Sequence, residues 1–101
     1  MICAQFVFRP GRYDDEFHRL DAAIGAYARS LAGFVRTESW QSADGTVHNA
    51  IYYFEDRESL AMLARYPQHR EAQGQVSRWY EAHRVVVSEV SAVYGDEALL
   101  P

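Results

Sequence analysis

The chain has 101 residues, 49% of them hydrophobic and 24% charged, which supplies one packed core, is too short for two domains and is too apolar for a disordered chain. Ten Lys and Arg stand against fourteen Asp and Glu, a formal charge of -4, so the attraction that drives phosphate-backbone binding is missing and nucleic acid is not an expected partner. A domain of this size buries roughly 65% of its unfolded surface, so contact with a second subunit would add useful burial.

From Met1 to Arg9, the residues Ile2, Ala4, Phe6 and Phe8 alternate with Cys3, Gln5, Val7 and Arg9. A two-residue period in an aromatic-rich run predicts a strand. No basic stretch precedes it and no small-residue cleavage site follows, so it does not read as a signal peptide. No apolar run approaches the roughly 20 residues needed to span a bilayer, and no membrane partner is expected. Cys3 is the only cysteine, so no intrachain disulfide can form, and no Cys/His cluster has zinc-ligand spacing. A reducing, cytoplasmic location is the expectation.

Pro10-Gly11 ends that strand. Tyr13, Phe17, Leu20, Ile24, Tyr27 and Leu31 then recur at steps of four and three, which places all six on one helical stripe. Asp14, Asp15 and Glu16 lie where negative charge favours the helix dipole, and Gly33 marks the expected C-terminal stop. Phe34 to Ser42 and Val47 to Phe54 are β-prone runs joined by Ala43-Asp44-Gly45-Thr46, and Asp-Gly predicts a two-residue type I′ hairpin. Pairing Ala43 with Thr46 puts Gln41, Ser39, Thr37 and Val35 opposite His48, Ala50, Tyr52 and Phe54 on one face. The other face then carries Arg36, Glu38, Trp40, Asn49, Ile51 and Tyr53. Asp56 or Ser59 caps a helix through Tyr66, Pro67 breaks or restarts it, and a second piece runs to about Ala82 with Ala72, Val76, Trp79 and Tyr80 on one stripe. His83 to Tyr94 reads as the last strand, and Gly95 to Pro101 as a tail with nothing obvious to pack on.

Strand, helix, strand, strand, broken helix, strand is the order of the α+β, ferredoxin-like βαββαβ arrangement with a four-stranded antiparallel sheet. The domain covers residues 1–95 and leaves 96–101 as a tail. Right-handed crossovers put both helical layers on one side of the sheet. The bare face would carry Cys3, Val7, Trp40, Ile51 and Tyr53 beside Gln5, Arg36, Glu38 and Asn49, more apolar surface than a solvated face normally holds. A homodimer packing sheet against sheet is the expectation.

Several segments together resemble the antibiotic-biosynthesis-monooxygenase domains, which form dimeric α+β barrels. These are Gly33-Phe34 opening the second strand, Tyr53-Phe54-Glu55-Asp56-Arg57-Glu58-Ser59-Leu60 leading into the helix, Pro67, His69-Arg70, Ala72-Gln73, Trp79-Tyr80, and the strand with Val85, Val87, Glu89 and Val90. The resemblance implies a pocket between helices and sheet, used in some members for cofactor-free oxidation of polyketide phenols and in others for haem degradation. It also extends to isomerases. Haem-degrading members carry an Asn on the first strand, which this chain lacks. Their helical Trp position falls on Leu63 and their iron-ligand position on Gln73, with His69 one turn earlier, so the resemblance points away from haem. In the anthrone-oxidising branch, an Asn and a Trp four residues on face the pocket from the third strand. Here those positions are Ala50 and Phe54, and Asn49 has the opposite parity.

His48 and Tyr52 are the leading candidates for chemistry. Two polar aromatics on the pocket face of one strand can deprotonate a phenol or enol and hold its anion, and a neutral imidazole suits a general base. His48 equally fits a half-exposed residue near a hairpin end. His69, where the helix restarts, is a third candidate, or a residue that caps or solvates that restart. Phe6, Tyr27, Thr37, Phe54, Leu63 and Trp79 are the expected substrate-binding wall, although spacing alone gives Tyr27 and Trp79 to the core. His18 and His83 are assigned no role. With no nucleophile elbow, phosphate loop, dinucleotide fingerprint or carboxylate metal motif, no cofactor or metal is expected. The partners implied are a small aromatic molecule and dioxygen. A non-catalytic ligand-binding dimer and an isomerase or cyclase are the alternatives.

Overall fold

The computed structural model describes residues 1–101. In chain order the elements are β1 (Ile2–Pro10), α1 (Asp15–Ser30), β2 (Phe34–Gln41), β3 (His48–Phe54), α2 (Arg57–Arg65), α3 (Pro67–Gln73), α4 (Val76–Trp79) and β4 (Tyr80–Glu89), then a 3₁₀ turn at Glu97–Leu99. The strands form one antiparallel sheet in the order β2-β3-β1-β4, the expected ferredoxin-like α+β layout. No helix is long and apolar enough to cross a membrane.

The β2–β3 hairpin keeps the expected register through a different turn. Gly45 is the only loop residue with positive φ, at 75°, so the loop is not type I′, which needs two such residues. The Gly45 N–H bonds to the Ser42 carbonyl at 2.9 Å and the Ser42 N–H to the Val47 carbonyl at 2.8 Å. This is a four-residue loop with a turn over Ala43-Asp44, followed by the left-handed glycine. Because the loop is longer by an even number of residues, parity survives. Thr37 pairs with Tyr52, Ser39 with Ala50 and Gln41 with His48. A bulge at Val35 then makes Phe34, rather than Val35, the partner of Phe54.

α1 starts where its acidic turn predicts. Asp14 caps it, accepting from the Phe17 N–H at 2.9 Å. The C-terminal stop differs, since Leu31 turns extended directly after Ser30 and Gly33 does not have positive φ. Gly33 is needed for close approach instead, because a Cβ there would run into the Ser59 side chain. Ser59 and Asp56 form the N-cap of α2, with Asp56 accepting from the Ser59 N–H and hydroxyl at 2.8 Å each.

The second helical piece is shorter than its periodicity suggests. It breaks at Gly74-Gln75, and β4 begins at Tyr80, not His83. Tyr80 pairs with Pro10 across a bulge, and its ring packs 5.0 Å from both Phe6 and Phe8. Strand pairing and aromatic burial together outweigh the helical stripe. β4 ends at Glu89, leaving Tyr94 92% exposed.

Ala28, Leu31, Phe54 and Leu63 form the core between the helices and the sheet, with Ile24, Tyr27, Phe34, Tyr52 and Leu60 packed around it. Fully burying a side chain the size of Phe54 contributes about 1.5–3 kcal/mol. The tail also finds a partner, contrary to the expectation: Arg36 donates to the Leu100 carbonyl at 2.8 Å. That contact brings the chain end back from β4 to β2, onto the face opposite the helices, where Cys3 and Ile51, expected on a bare surface, are buried within the chain itself.

Candidate active site

Strand parity places Phe6 and Phe8 of β1, His48, Ala50, Tyr52 and Phe54 of β3, and Thr37 of β2 on the helix side of the sheet. The β1–β4 ladder adds His83, opposite Phe8, and Val85, opposite Phe6. The rings make a continuous surface. Phe6 stacks on Phe8 at 5.1 Å, Tyr80 lies edge-on to both, His83 is 5.7 Å from Phe6, and His48 is 5.3 Å from Phe8. The helices leave β4 uncovered, so Val85 is 62% exposed and the trough opens beside it. A small cavity of about 50 Å³ continues beneath α1, lined by Phe17, Leu20, Asp21, Ile24, Ala72, Trp79 and Tyr80. Ligand pockets are typically about 300 Å³ or more, so this cavity is too small for an arene, and the exposed ring surface beside it is the candidate contact face.

His48 is held by its own hairpin, with Nε2 3.2 Å from the Gly45 carbonyl. A carbonyl only accepts, so this contact puts the proton on Nε2 and leaves Nδ1 as the basic nitrogen. Tyr52, four residues along the same strand and roughly 13 Å away at 3.3 Å per residue, is half-buried. Burial pushes its phenol up, the positive charge of Arg29 pulls it down and the negative charge of Asp21 adds to the rise. His48 thus sits beside Phe8, while Tyr52, on the same face of β3, packs on the buried core with its ring stacked 6.2 Å from Phe54.

The other expected site residues divide into wall and helical layer. Phe54 is 0% exposed, Leu63 6% and Trp79 1%, so they support the site from behind. The Trp79 indole N–H donates to Asp14 at 3.1 Å, and Arg78 closes the same knot with ion pairs to Asp14 and Glu16. This fixes α4 against the start of α1. Tyr27 stacks face to face on Tyr66 at 4.0 Å, within the helical layer. His69 belongs to α3, which packs on α1 and α2. Its Nδ1 is buried without a hydrogen-bond partner, and burial pushes its imidazole down toward the neutral form.

Four groups at the trough escaped the sequence reading: Phe8, Asp21, Tyr80 and His83. Tyr80 was hidden by its match to a helical stripe. His83 depended on the β1–β4 register, which no hairpin sets. Asp21 lies one turn beyond Phe17 on α1, a spacing that could have identified it. Its carboxyl is pushed up, first by the crowding of protein around it, against the opposing pull of His18 and Arg29.

No protein-family model matches the chain, and no curated protein sequence does. Solved structures do. SnoaB from Streptomyces nogalater, described as a cofactor-independent oxygenase, superposes with a TM-score of 0.72 at 14% identity over 94% of this chain and 97% of that one. A putative antibiotic biosynthesis monooxygenase from Deinococcus radiodurans gives 0.72 at 8% identity over 95% and 98%. Rv0793 from Mycobacterium tuberculosis gives 0.68 at 19% over 93% and 98%. The chain has the fold of the antibiotic biosynthesis monooxygenases, and at these identities the likeness speaks for fold alone.

Proposed function

We propose that this chain, built on the antibiotic biosynthesis monooxygenase fold, is a cofactor-independent oxygenase that oxidises an anthrone-like or phenolic small molecule with dioxygen. The reading is supported by the aromatic surface of Phe6, Phe8 and Tyr80, with His48 beside Phe8 and Tyr52 farther along the same face of β3. An aromatic substrate lies on those rings. His48 Nδ1 takes its acidic C–H or O–H proton, and the electron-rich anion passes one electron to dioxygen. The resulting radical and superoxide join through a new C–O bond. The peroxide takes up a proton, and loss of water with the second hydrogen on that carbon leaves a carbonyl. The protein's contribution is orientation of the substrate on the rings and a hydrogen bond from Tyr52 to substrate oxygen.

The unit of function in this reading is a homodimer joined through the helix-free faces, where Trp40 is 61% and Val86 39% exposed. The test is oxygen uptake by metal-chelated protein over a panel of anthrones. Uptake above buffer for at least one substrate is expected, with a fall of about 100-fold in kcat for His48→Ala. No uptake above buffer with any member overturns the reading. A binding-only role is favoured by one observation, the full burial of Phe54, which removes the aromatic that the oxidising branch presents to substrate. In that case His48→Ala alters affinity and there is no rate to lose. An isomerase or cyclase would turn over equally well without oxygen.

A further inference from the structure

The helix-free face of the sheet is unevenly charged. Strand parity puts Arg9 of β1, Arg36 and Glu38 of β2 and Arg84 of β4 on it, a positive surplus on a chain whose formal charge is -4. Arg36 and Glu38 pair with each other at 3.6 Å. Arg9 and Arg84 meet no acid in an ion pair. They are diagonal neighbours on adjacent strands, Arg84 opposite Val7 and Arg9 opposite Ala82, and they share one open depression of about 210 Å³ with Val7, Val47 and Ala82. Like charges that close across a ladder repel, so this end of the face lacks an anion. Unpaired acids lie at the other end. The tail is tied down where β1 begins: the Val90 N–H bonds to the Met1 carbonyl at 2.9 Å, and Arg36, opposite Tyr53, donates to the Leu100 carbonyl at 2.8 Å. Between these ties Asp96 and Glu97 are exposed and belong to no ion pair. Cys3, the β1 partner of Tyr53, is roughly 20 Å from Arg9 at 3.3 Å per residue, so the tethered acids do not reach the arginines of their own chain.

We infer that the Arg9–Arg84 depression receives Asp96 and Glu97 of the partner subunit, and that this contact sets the way two copies of the chain meet. Sheets that pack face to face about a two-fold axis have two simple arrangements. An axis along the strands brings the two basic ends together. An axis across the strands lays the tail end of each copy on the basic end of the other. Charge selects the second arrangement, because every guanidinium of the depression then faces a carboxylate and the contact forms twice by symmetry. The face is thus self-complementary end to end, which a uniformly charged face is not. This inference rests on the homodimer proposed above and adds the residues that choose its geometry.

Sedimentation equilibrium on two charge-reversed proteins tests it. One carries Arg9→Glu with Arg84→Glu, the other Asp96→Lys with Glu97→Lys, and all four positions are exposed. Each reversed protein is expected to dimerise about 100-fold more weakly than wild type, roughly tenfold for each of the two symmetric contacts. Reversing the tail also brings the chain to neutrality. Overall repulsion alone would then tighten its dimer, so a weaker one reports the contact itself. An equimolar mixture of the two proteins is expected to form a heterodimer of wild-type strength, since each reversed depression meets a reversed tail and each native depression a native tail. Such recovery also shows that both proteins are folded. Reversed proteins that dimerise as tightly as wild type, or a mixture that stays as weak as its components, overturn the inference and leave the sheet-to-sheet dimer standing. Wild-type protein that is monomeric at micromolar concentration overturns the dimer and the inference together, and leaves the depression to some other anion.

Discussion

Asp44 shows how one side chain sets a turn. Its Oδ1 accepts from the Ser42 hydroxyl at 2.7 Å, the Thr46 hydroxyl at 2.8 Å and the Thr46 N–H at 3.1 Å. These bonds hold its carboxyl at about 2, against an ordinary value of 3.8. A folded-state value below the unfolded one means that its stabilisation is complete above the ordinary carboxylate range and is lost as pH falls through about 2. Melting temperatures measured from about pH 5 down to about pH 2 should fall more steeply for wild type than for Asp44→Ala. Parallel slopes would show that ionisation of Asp44 contributes nothing to stability. At the trough, Tyr52 is a donor throughout the neutral range because burial raises its phenol. Tyr52→Phe should therefore lower oxygen uptake by about tenfold without moving its pH optimum.

Between elements, Gly33 is the tightest joint. It carries the connection from α1 to β2 against the cap of α2, and its carbonyl accepts from the Glu55 N–H at 2.7 Å. Gly33→Ala puts a methyl group into the buried Ser59 side chain and should cost about 1–3 kcal/mol in urea unfolding, as overpacking does. The double variant with Ser59→Ala should recover part of that loss, and strictly additive effects would rule out the contact as the cause. The core gives a contrasting case. Leu63→Ala empties space between α2 and Phe54 and should cost about 2–5 kcal/mol. It should leave naphthol affinity nearly unchanged if Leu63 supports the trough only from behind.

For the whole molecule, the helix-free face with exposed Trp40 argues for a second copy. Light scattering should report a dimer, Trp40→Glu should shift it toward monomer, and a wild-type monomer at micromolar concentration would refute the proposed assembly. Which residues face the helices was legible in the sequence, because the side-chain period of a strand is two and the hairpin length was even. His48, Tyr52 and Phe54 therefore fell on the correct side even though the turn type differed. The helical stripe from Phe17 to Tyr27 was legible for the same reason, a fixed period acting over many residues, whereas Tyr13 and Leu31, expected on the same helix, fall outside α1. Tertiary structure alone decided the rest. Tyr80 left its helical pattern for a strand because pairing with β1 and packing on Phe6 and Phe8 outweigh local periodicity. The tail found Arg36 across the sheet, and Asp21 came to share a cavity with Tyr80 and Trp79 only because the two helical segments pack together over the sheet. Local sequence carries spacing along one element. The distance between elements depends on volumes and contacts that exist only after the chain has folded.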